Sequence, residues 1–222
     1  NMIKHSVYAL PEVKRNNIKD SKIISCPGCY PTSILLPLIP LLKKNLIFNN
    51  NIIIDSKSGY SGAGRGVHKK YINQNLYESL SAYGLALHRH NSEIQQELDL
   101  FSKKINNFQF TPHLTPMFRG ILSTIYIDLR KGVTKNKVNS ELKKYYKSER
   151  FVKISNPDTF LSTNDVINTN NCIISVCNSK YKSKLIILSV IDNLIKGGSG
   201  QAVQNMNIRC KFNESEGLNG KI

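Results

Sequence analysis

The sequence lacks any apolar stretch long enough to span a bilayer. Its longest apolar run, residues 34–42, is interrupted by Pro37 and Pro40, whereas a transmembrane helix needs about 20 consecutive apolar residues. The first residues are not followed by the apolar core of a signal peptide. We therefore expect a cytoplasmic protein that makes no use of a membrane.

Acidic residues are scarce, with 15 Asp and Glu against 31 Lys and Arg, which gives a formal net charge of +16. The lysines are scattered and form no arginine-rich stripe with interleaved aromatic side chains, so nucleic acid is not the expected partner. The charge instead suits small anionic substrates. Hydrophobic residues make up 40% of the 222 residues, which predicts a folded chain over most of its length.

The chain has five cysteines, and because the number is odd and the chain is expected to be cytosolic, we do not expect a disulfide framework. Cys26 and Cys29 form a Cys-x-x-Cys pair, which leaves open a thioredoxin-like redox site or half of a zinc site completed by His88 and His90. A redox fold needs a βαβ unit around the pair, and the N-terminal side looks too short to supply one. Alternate residues of a strand point to opposite faces, which disfavours the two histidines as ligands. We predict no metal.

Hydrophobic periodicity and turn residues predict the secondary structure. Strands are expected at residues 22–25, 51–55, 108–111, 120–129, 171–176 and 184–191, and helices at 92–104, 138–147 and 200–206. A further helix is expected to begin with Pro31 at its first position, and Pro37 should kink or divide it. Ser92 is the expected cap of the helix that follows it, and the tail from Asn213 is expected to fray.

Strands outnumber helices after residue 51, and several are joined by short turns. This favours an α/β protein with a mixed, largely antiparallel sheet and helices on one face.

The turn at residues 25–32 places Cys29 between a strand end and a helix start. Free backbone N–H groups and the helix dipole favour a thiolate at such a position. A buried, inert cysteine is the simpler alternative.

Two further segments contain residues suited to binding and proton transfer. The small residues of the loop 58–66, among them Ser61 and Gly62, allow a ligand to approach the backbone. His88 and His90 flank Arg89 just before a helix and suit acid–base chemistry beside an anion. The alternative interpretation of the loop 58–66 is an ordinary flexible loop. The alternative for the histidine segment is a polar surface segment before a helix.

Two later segments suit anion and cofactor binding. Arg119 follows a proline-stiffened loop that contains His113, and its guanidinium suits a carboxylate or phosphate. The glycine-rich turn at 197–200 leads into a helix start, an arrangement that binds phosphate or amide groups. Taken alone, Arg119 is also compatible with a solvated surface arginine. The glycine-rich turn is also compatible with a simple lead-in to a helix.

Together and in this order, the five motifs resemble the N-acetyl-gamma-glutamyl-phosphate reductases of arginine biosynthesis. The segment 8–12 adds to the resemblance, although Ala9 replaces a glycine of the usual pattern. Cys26 is a second departure, because the family usually has a small or polar residue there. The similarity extends from about Tyr8 to Asn207.

The resemblance implies a mechanism and a set of roles. Cys29 would attack the acyl phosphate of N-acetyl-glutamate, and NADPH would reduce the resulting thioester to the semialdehyde. The acid–base group would be His90 or His88. The remaining implied residues are the substrate-binding Arg119, His113 and Arg89 and the cofactor-binding Ser61, Gly62, Gln201 and Asn205.

The resemblance also implies a domain organisation. Residues 1–30 would be the end of a Rossmann-type NADP-binding domain, 31–195 the catalytic and dimerisation domain, and 196–222 a C-terminal helix returning to the cofactor domain. No glycine-rich dinucleotide turn precedes Tyr8, so the chain would begin near the end of that domain. A homodimer or homotetramer is expected. A non-catalytic dimerising remnant and an aminoadipate-type reductase of lysine biosynthesis are the alternatives.

Overall fold

The computed structural model describes residues 2–63, 78–102 and 107–218. Within these ranges the chain forms a two-stranded sheet, a seven-stranded sheet and five α-helices. The strands are β1 Ser6–Tyr8, β2 Ile23–Ser25, β3 Ile52–Gly59, β4 Ser81–Ala82, β5 Phe108–Thr115, β6 Ile121–Asp128, β7 Val152–Ile154, β8 Cys172–Asn178 and β9 Lys184–Ile191. The helices are α1 Pro11–Asp20, α2 Cys29–Lys43, α3 His90–Phe101, α4 Lys135–Tyr145 and α5 Gly200–Cys210, and a π-helical turn spans Ile195–Ser199.

The N-terminal residues form a small βαβ unit, in which β1 and β2 pair in parallel and α1 connects them. The expectation that this side was too short for such a unit was therefore wrong. The helix was missed because its sequence is polar and basic, with only Pro11 and Glu12 indicating a turn. Its apolar residue Ile18 is buried against Ile208 of α5, so tertiary packing stabilises the helix.

The seven-stranded sheet has the strand order β4-β5-β3-β6-β9-β8-β7. Four of its six neighbouring pairs are antiparallel, and only β3–β5 and β7–β8 are parallel. This confirms the predicted mixed, largely antiparallel α/β fold. The predicted strands 51–55 and 108–111 are both longer than expected, since β3 continues to Gly59 and β5 to Thr115.

Helix α2 is the buried centre of the molecule and packs on β6 and β9. It begins at Cys29 and continues through Pro37 and Pro40, so the predicted start at Pro31 and the division at Pro37 were wrong. Pro40 has no N–H to donate to the carbonyl of Leu36. The hydroxyl of Tyr146 donates to that carbonyl instead, at 2.6 Å, which offsets one of the lost helical bonds.

Two other boundary predictions were also wrong. Helix α3 begins at His90, so Ser92 lies inside its first turn and donates to the carbonyl of Arg89 rather than capping the helix. The tail does not fray at Asn213: Glu214 accepts hydrogen bonds from Arg15, and Leu218 is buried.

The two faces of the large sheet differ. On one face, inward residues such as Ile54 and Ile125 join the core beneath the helices. On the other face, Ile53 is 48% exposed and Tyr126 is 41% exposed, although both lie on central strands. None of the helices in the described ranges combines the length and apolarity that a bilayer crossing requires.

Candidate active site

Cys29 occupies the first position of α2, with Gly28 as the preceding cap residue. The side chain is half-buried. Burial raises the pKa of the Cys29 thiol to about 11, although the backbone N–H groups of Tyr30 and Cys29 and the guanidinium of Arg89 lower it. The expectation of a resting thiolate was therefore wrong, because desolvation outweighs the favourable groups at the helix start.

His90 lies directly against the turn that presents Cys29. A Cβ atom at position 28 would be 2.5 Å from His90 Nε2, so only glycine permits this approach. Burial, together with the charges of His88 and Arg89, lowers the pKa of His90 to about 3. The imidazole is therefore neutral at physiological pH, and its Nδ1 is buried without a partner among the described residues.

His88 supports His90 from the side, with the two rings 4.8 Å apart. Its Nδ1 accepts a hydrogen bond from the backbone N–H of His90 at 3.1 Å, which places the proton of a neutral His88 on Nε2. Neither histidine lies on a strand, so the argument that they point to opposite faces does not apply.

Glu93 connects the histidine helix to the cysteine turn. Its Oε1 accepts hydrogen bonds from the backbone N–H of Gly28 at 2.8 Å and from the hydroxyl of Tyr8 at 2.7 Å. Its Oε2 lies 3.9 Å from His90 Nε2. Sequence reasoning assigned no role to Tyr8 or Glu93, although Glu93 lies one helical turn after His90 and hence on the same helix face.

An open groove with a volume of about 1020 Å³ lies beside this turn, between the βαβ unit and α3. Its lining includes Tyr8, Lys14, Cys26, Arg89 and Glu93. Arg89 is exposed, so its guanidinium is available to an anionic ligand in the groove.

Gln201 and Asn205 project from α5 toward the same region. Gln201 Nε2 donates to Thr32 Oγ1 of α2 at 3.0 Å, and Asn205 Nδ2 donates to the carbonyl of Ala9 at 3.1 Å. The amide oxygens of both side chains are buried without a partner in the described part of the chain. Since buried acceptors are normally satisfied, these two oxygens suit an amide donor of a ligand.

The Arg119 guanidinium is held in place by neighbouring side chains. It donates to Asn168 Oδ1 at 2.5 Å and lies 3.3 Å from Oδ2 of Asp192, whose carboxylate is fully buried. The next residue, Asn193, donates to Ser61 Oγ at 3.1 Å. These contacts explain the Asp-Asn pair of the fifth motif, for which the sequence indicated no separate function.

The glycine-rich loop is described only in part. A Cβ atom at Gly62 would be 2.8 Å from Ser58 Oγ, so the backbone is closely packed there. The last three loop residues, 64–66, lie outside the described residues.

The predicted site residues are not all brought together. Cys29, His88, His90 and Arg89 surround one turn, whereas His113 lies on the opposite side of the large sheet. Its Nδ1 is 3.1 Å from Asp55 Oδ1, and both side chains belong to the face that the helices do not cover.

A metal site does not emerge from the residues that the structure describes, since they contain no group of three His, Cys, Asp or Glu side chains able to hold one. Cys26 and Cys29 are both free thiols. Cys26 is exposed and lies 3.5 Å from Asn205 Nδ2.

Comparison with known sequences relates the chain to one enzyme group. The family "Semialdehyde dehydrogenase, dimerisation domain" matches residues 29–193. The chain is 46% identical to a probable N-acetyl-gamma-glutamyl-phosphate reductase, chloroplastic, of Arabidopsis thaliana, over 97% of this chain and 54% of the relative. It is 48% identical to the N-acetyl-gamma-glutamyl-phosphate reductase of Prochlorococcus marinus strain MIT 9301, over 98% of this chain and 62% of the relative. The chain therefore spans little more than half the length of these curated relatives.

Comparison with solved structures supports the fold. Aspartate semialdehyde dehydrogenase II from Vibrio cholerae superposes with a TM-score of 0.71 at 17% identity, over 94% of this chain and 69% of that one. A probable aspartate-semialdehyde dehydrogenase from Pseudomonas aeruginosa superposes with a TM-score of 0.70 at 16% identity, over 93% of this chain and 68% of that one. The chain belongs to the semialdehyde dehydrogenase dimerisation-domain family, and its close sequence relatives are N-acetyl-gamma-glutamyl-phosphate reductases.

Proposed function

We propose that the chain carries the catalytic and dimerisation part of an NADPH-dependent reductase. The enzyme would convert N-acetyl-glutamyl 5-phosphate into N-acetyl-glutamate 5-semialdehyde and phosphate, a step of arginine biosynthesis. The observation that carries the proposal is the neutral, buried His90, whose Nε2 lies against the glycine that precedes the Cys29 nucleophile.

In the first half of the reaction, Cys29 Sγ attacks the acyl carbon and its proton passes to His90 Nε2. The bond between the acyl carbon and the phosphate oxygen breaks, and the departing phosphate takes the proton from His90. The products are a thioester and hydrogen phosphate, so atoms and charge balance. Because the resting pKa values of Cys29 and His90 keep the proton on sulfur, its removal must accompany formation of the carbon–sulfur bond.

In the second half, the thioester carbonyl carbon accepts a hydride, and its oxygen accepts a proton that His90 Nε2 takes up from solvent after the first proton has left with phosphate. The hemithioacetal then collapses: the carbon–sulfur bond breaks, the aldehyde leaves, and the hydroxyl proton returns through His90 to Cys29. Bound NADPH would supply only the hydride. The exposed guanidinium of Arg89 would hold the anionic substrate during both halves.

The residues around Cys29 fit the amide end of a nicotinamide. The unpartnered oxygens of Gln201 and Asn205 are acceptors for a carboxamide N–H₂ group. Ser61 and Gly62 lie beside Asn193 and would border the same end of the cofactor. Arg119, held by Asp192, would bind a negative group of the substrate. The role that the resemblance implied for His113 has no support from its position across the sheet.

The acyl-transfer half can be tested without cofactor. We expect the chain, mixed with N-acetyl-glutamyl phosphate and quenched in acid, to gain the mass of one N-acetyl-glutamyl group on the Cys29 peptide. One phosphate per chain should be released in the same reaction. N-acetyl-aminoadipyl phosphate, offered in parallel, tests the alternative substrate length. A chain that releases no phosphate and shows no adduct with either compound would be a non-catalytic remnant.

The uncovered face of the large sheet suits self-association. Ile53 and Tyr126 are both more than 40% exposed on adjacent central strands, which is unusual for an apolar sheet face in a monomer. We infer that a second copy of the chain covers it with the same face, in keeping with the dimerisation-domain family.

Replacing Ile53 and Tyr126 together by lysine should convert the dimer into a monomer. The two lysines of each chain would bury four ammonium groups in the dimer, which would cost more than the interface supplies. Sedimentation equilibrium measures the change in mass. The control is Phe160→Lys, which alters a side chain that is 90% exposed outside the sheet and should leave the dimer intact. A dimer that survives the double substitution would place the interface elsewhere.

A further inference from the structure

The π-helical turn Ile195–Ser199 lies directly beneath Cys29. A Cβ atom at Gly197 would be 2.6 Å from Cys29 Cβ, so the backbone of this turn touches the nucleophile's side chain. The Gly197 N–H donates to the carbonyl of Asp192 at 3.0 Å, which fixes one side of the turn. The position of this turn therefore limits the space beside the Cys29 side chain.

Lys196, the residue before Gly197, extends into the protein and is fully buried. Its Nζ donates to Glu12 Oε1 of α1 at 2.6 Å and to Gln204 Oε1 of α5 at 2.8 Å. Glu12 is itself buried. Removing two charges from water is costly, so such a pair contributes little net stability and is better explained by the geometry it enforces.

The pair is part of a longer polar network. Gln204 Nε2 donates to Glu12 Oε1 at 3.0 Å and to Glu214 Oε1 at 2.8 Å. Arg15 then joins Glu214 at 2.6 Å and Glu149 at 2.5 Å near the surface. The network thereby ties α1, α5 and the chain before β7 to the turn under Cys29.

The ionised form of Glu12 is the one that the structure favours. Burial alone would raise the pKa of Glu12, but the Lys196 ammonium and the hydrogen bonds from Lys196 and Gln204 reverse that effect and lower it. The mechanism described above uses neither residue.

We propose that Lys196 and Glu12 are positioning residues, whose buried ion pair holds Gly197 against Cys29 and limits the access of water to its thiol. The proposal rests on the proposed function only in treating Cys29 as the nucleophile. Its contacts run through Gly197, whereas His90 lies against Gly28, so it describes a separate constraint on the site.

The test measures how fast iodoacetamide alkylates Cys29 at pH 8, followed by mass spectrometry of its peptide in a Cys26→Ser/Cys210→Ser background. With Lys196→Met, the loosened turn should admit water, and the thiol pKa should fall from about 11 toward its ordinary value. Alkylation should then accelerate by roughly 10- to 100-fold, in proportion to the thiolate fraction. Loss of the ammonium charge alone would act in the opposite direction, because removing a positive charge disfavours a thiolate.

Two further variants separate positioning from stability. Val176→Ala removes buried volume from β8 and should lower the midpoint of urea unfolding while leaving the alkylation rate unchanged. Glu12→Gln/Lys196→Met removes both charges of the pair together and should accelerate alkylation in the same direction as Lys196→Met, and it decides the question if Lys196→Met alone does not fold. If Lys196→Met and Glu12→Gln/Lys196→Met fold but are alkylated at the wild-type rate, or more slowly, the proposal is overturned. That outcome would leave the acyl-transfer test of Cys29 unaffected, so the two ideas fail separately.

Discussion

Replacing Cys29 by alanine is expected to abolish acyl-enzyme formation and to reduce phosphate release at least about 10³-fold, because a lost nucleophile typically costs several orders of magnitude. Cys29 directly follows Gly28, which lies against His90, and its own side chain lies against Gly197. The fold should persist, since alanine is a good helix former at the first position of α2. Phosphate release from N-acetyl-glutamyl phosphate measures the first effect, and circular dichroism the second.

The matched control for this variant is Cys26→Ser. Cys26 is three residues away, exposed, and 3.5 Å from Asn205 Nδ2. A serine hydroxyl preserves that hydrogen bond, so phosphate release should be unchanged. If Cys26→Ser lost activity as completely as Cys29→Ala, the Cys-x-x-Cys pair would have to act as a redox unit, and the thioester mechanism would be wrong.

Substituting His90 should have the second largest effect. His90→Gln keeps a polar atom near the position of Nε2 but provides no base, so phosphate release should fall by about 10²- to 10⁴-fold. His88→Asn keeps an acceptor for the His90 backbone N–H that now binds His88 Nδ1, and should have a smaller effect. If His88→Asn reduced phosphate release more than His90→Gln, His88 would be the acid–base group and His90 the residue that supports it.

The pH profile of phosphate release gives an independent check on His90. Because its pKa is lowered to about 3, the imidazole stays an unprotonated base between pH 5 and pH 8, and that capacity is lost only as the pH falls through about 3. Because the proton leaves Cys29 as the carbon–sulfur bond forms, the rate of phosphate release should be nearly independent of pH between pH 5 and pH 8. A tenfold rise per pH unit would show that a preformed thiolate attacks instead.

Local sequence signals predicted much of the scaffold. Alternating β-branched residues located β6, β8 and β9 almost to their ends, because a strand between core and open face shows its two-residue period directly in the sequence. The Pro-Gly step before Cys29 likewise predicted a strand-to-helix turn. These features depend on neighbours within a few residues, so they need no knowledge of the fold.

Other features arise only from segments far apart in the chain. Helix α1 was missed because its sequence is polar, and it is stabilised by packing on α5, nearly 190 residues later. Helix α2 passes through Pro40 because Tyr146, more than 100 residues away, satisfies the carbonyl that the proline leaves free. His113 was grouped with the site by sequence resemblance, but strand alternation turns it to the other face of the sheet.

The sequence by itself determined which chemical groups make up the candidate site: a cysteine at a helix start, two histidines beside an arginine, and amide side chains on a C-terminal helix. Tertiary structure decided their chemical state. Burial raises the pKa of Cys29 and lowers the pKa of His90, and the distant pair of Glu12 and Lys196 holds Gly197 against the Cys29 side chain. The physical reason is that a pKa depends on solvation and on charges nearby in space, and neither is encoded by the spacing of residues along the chain.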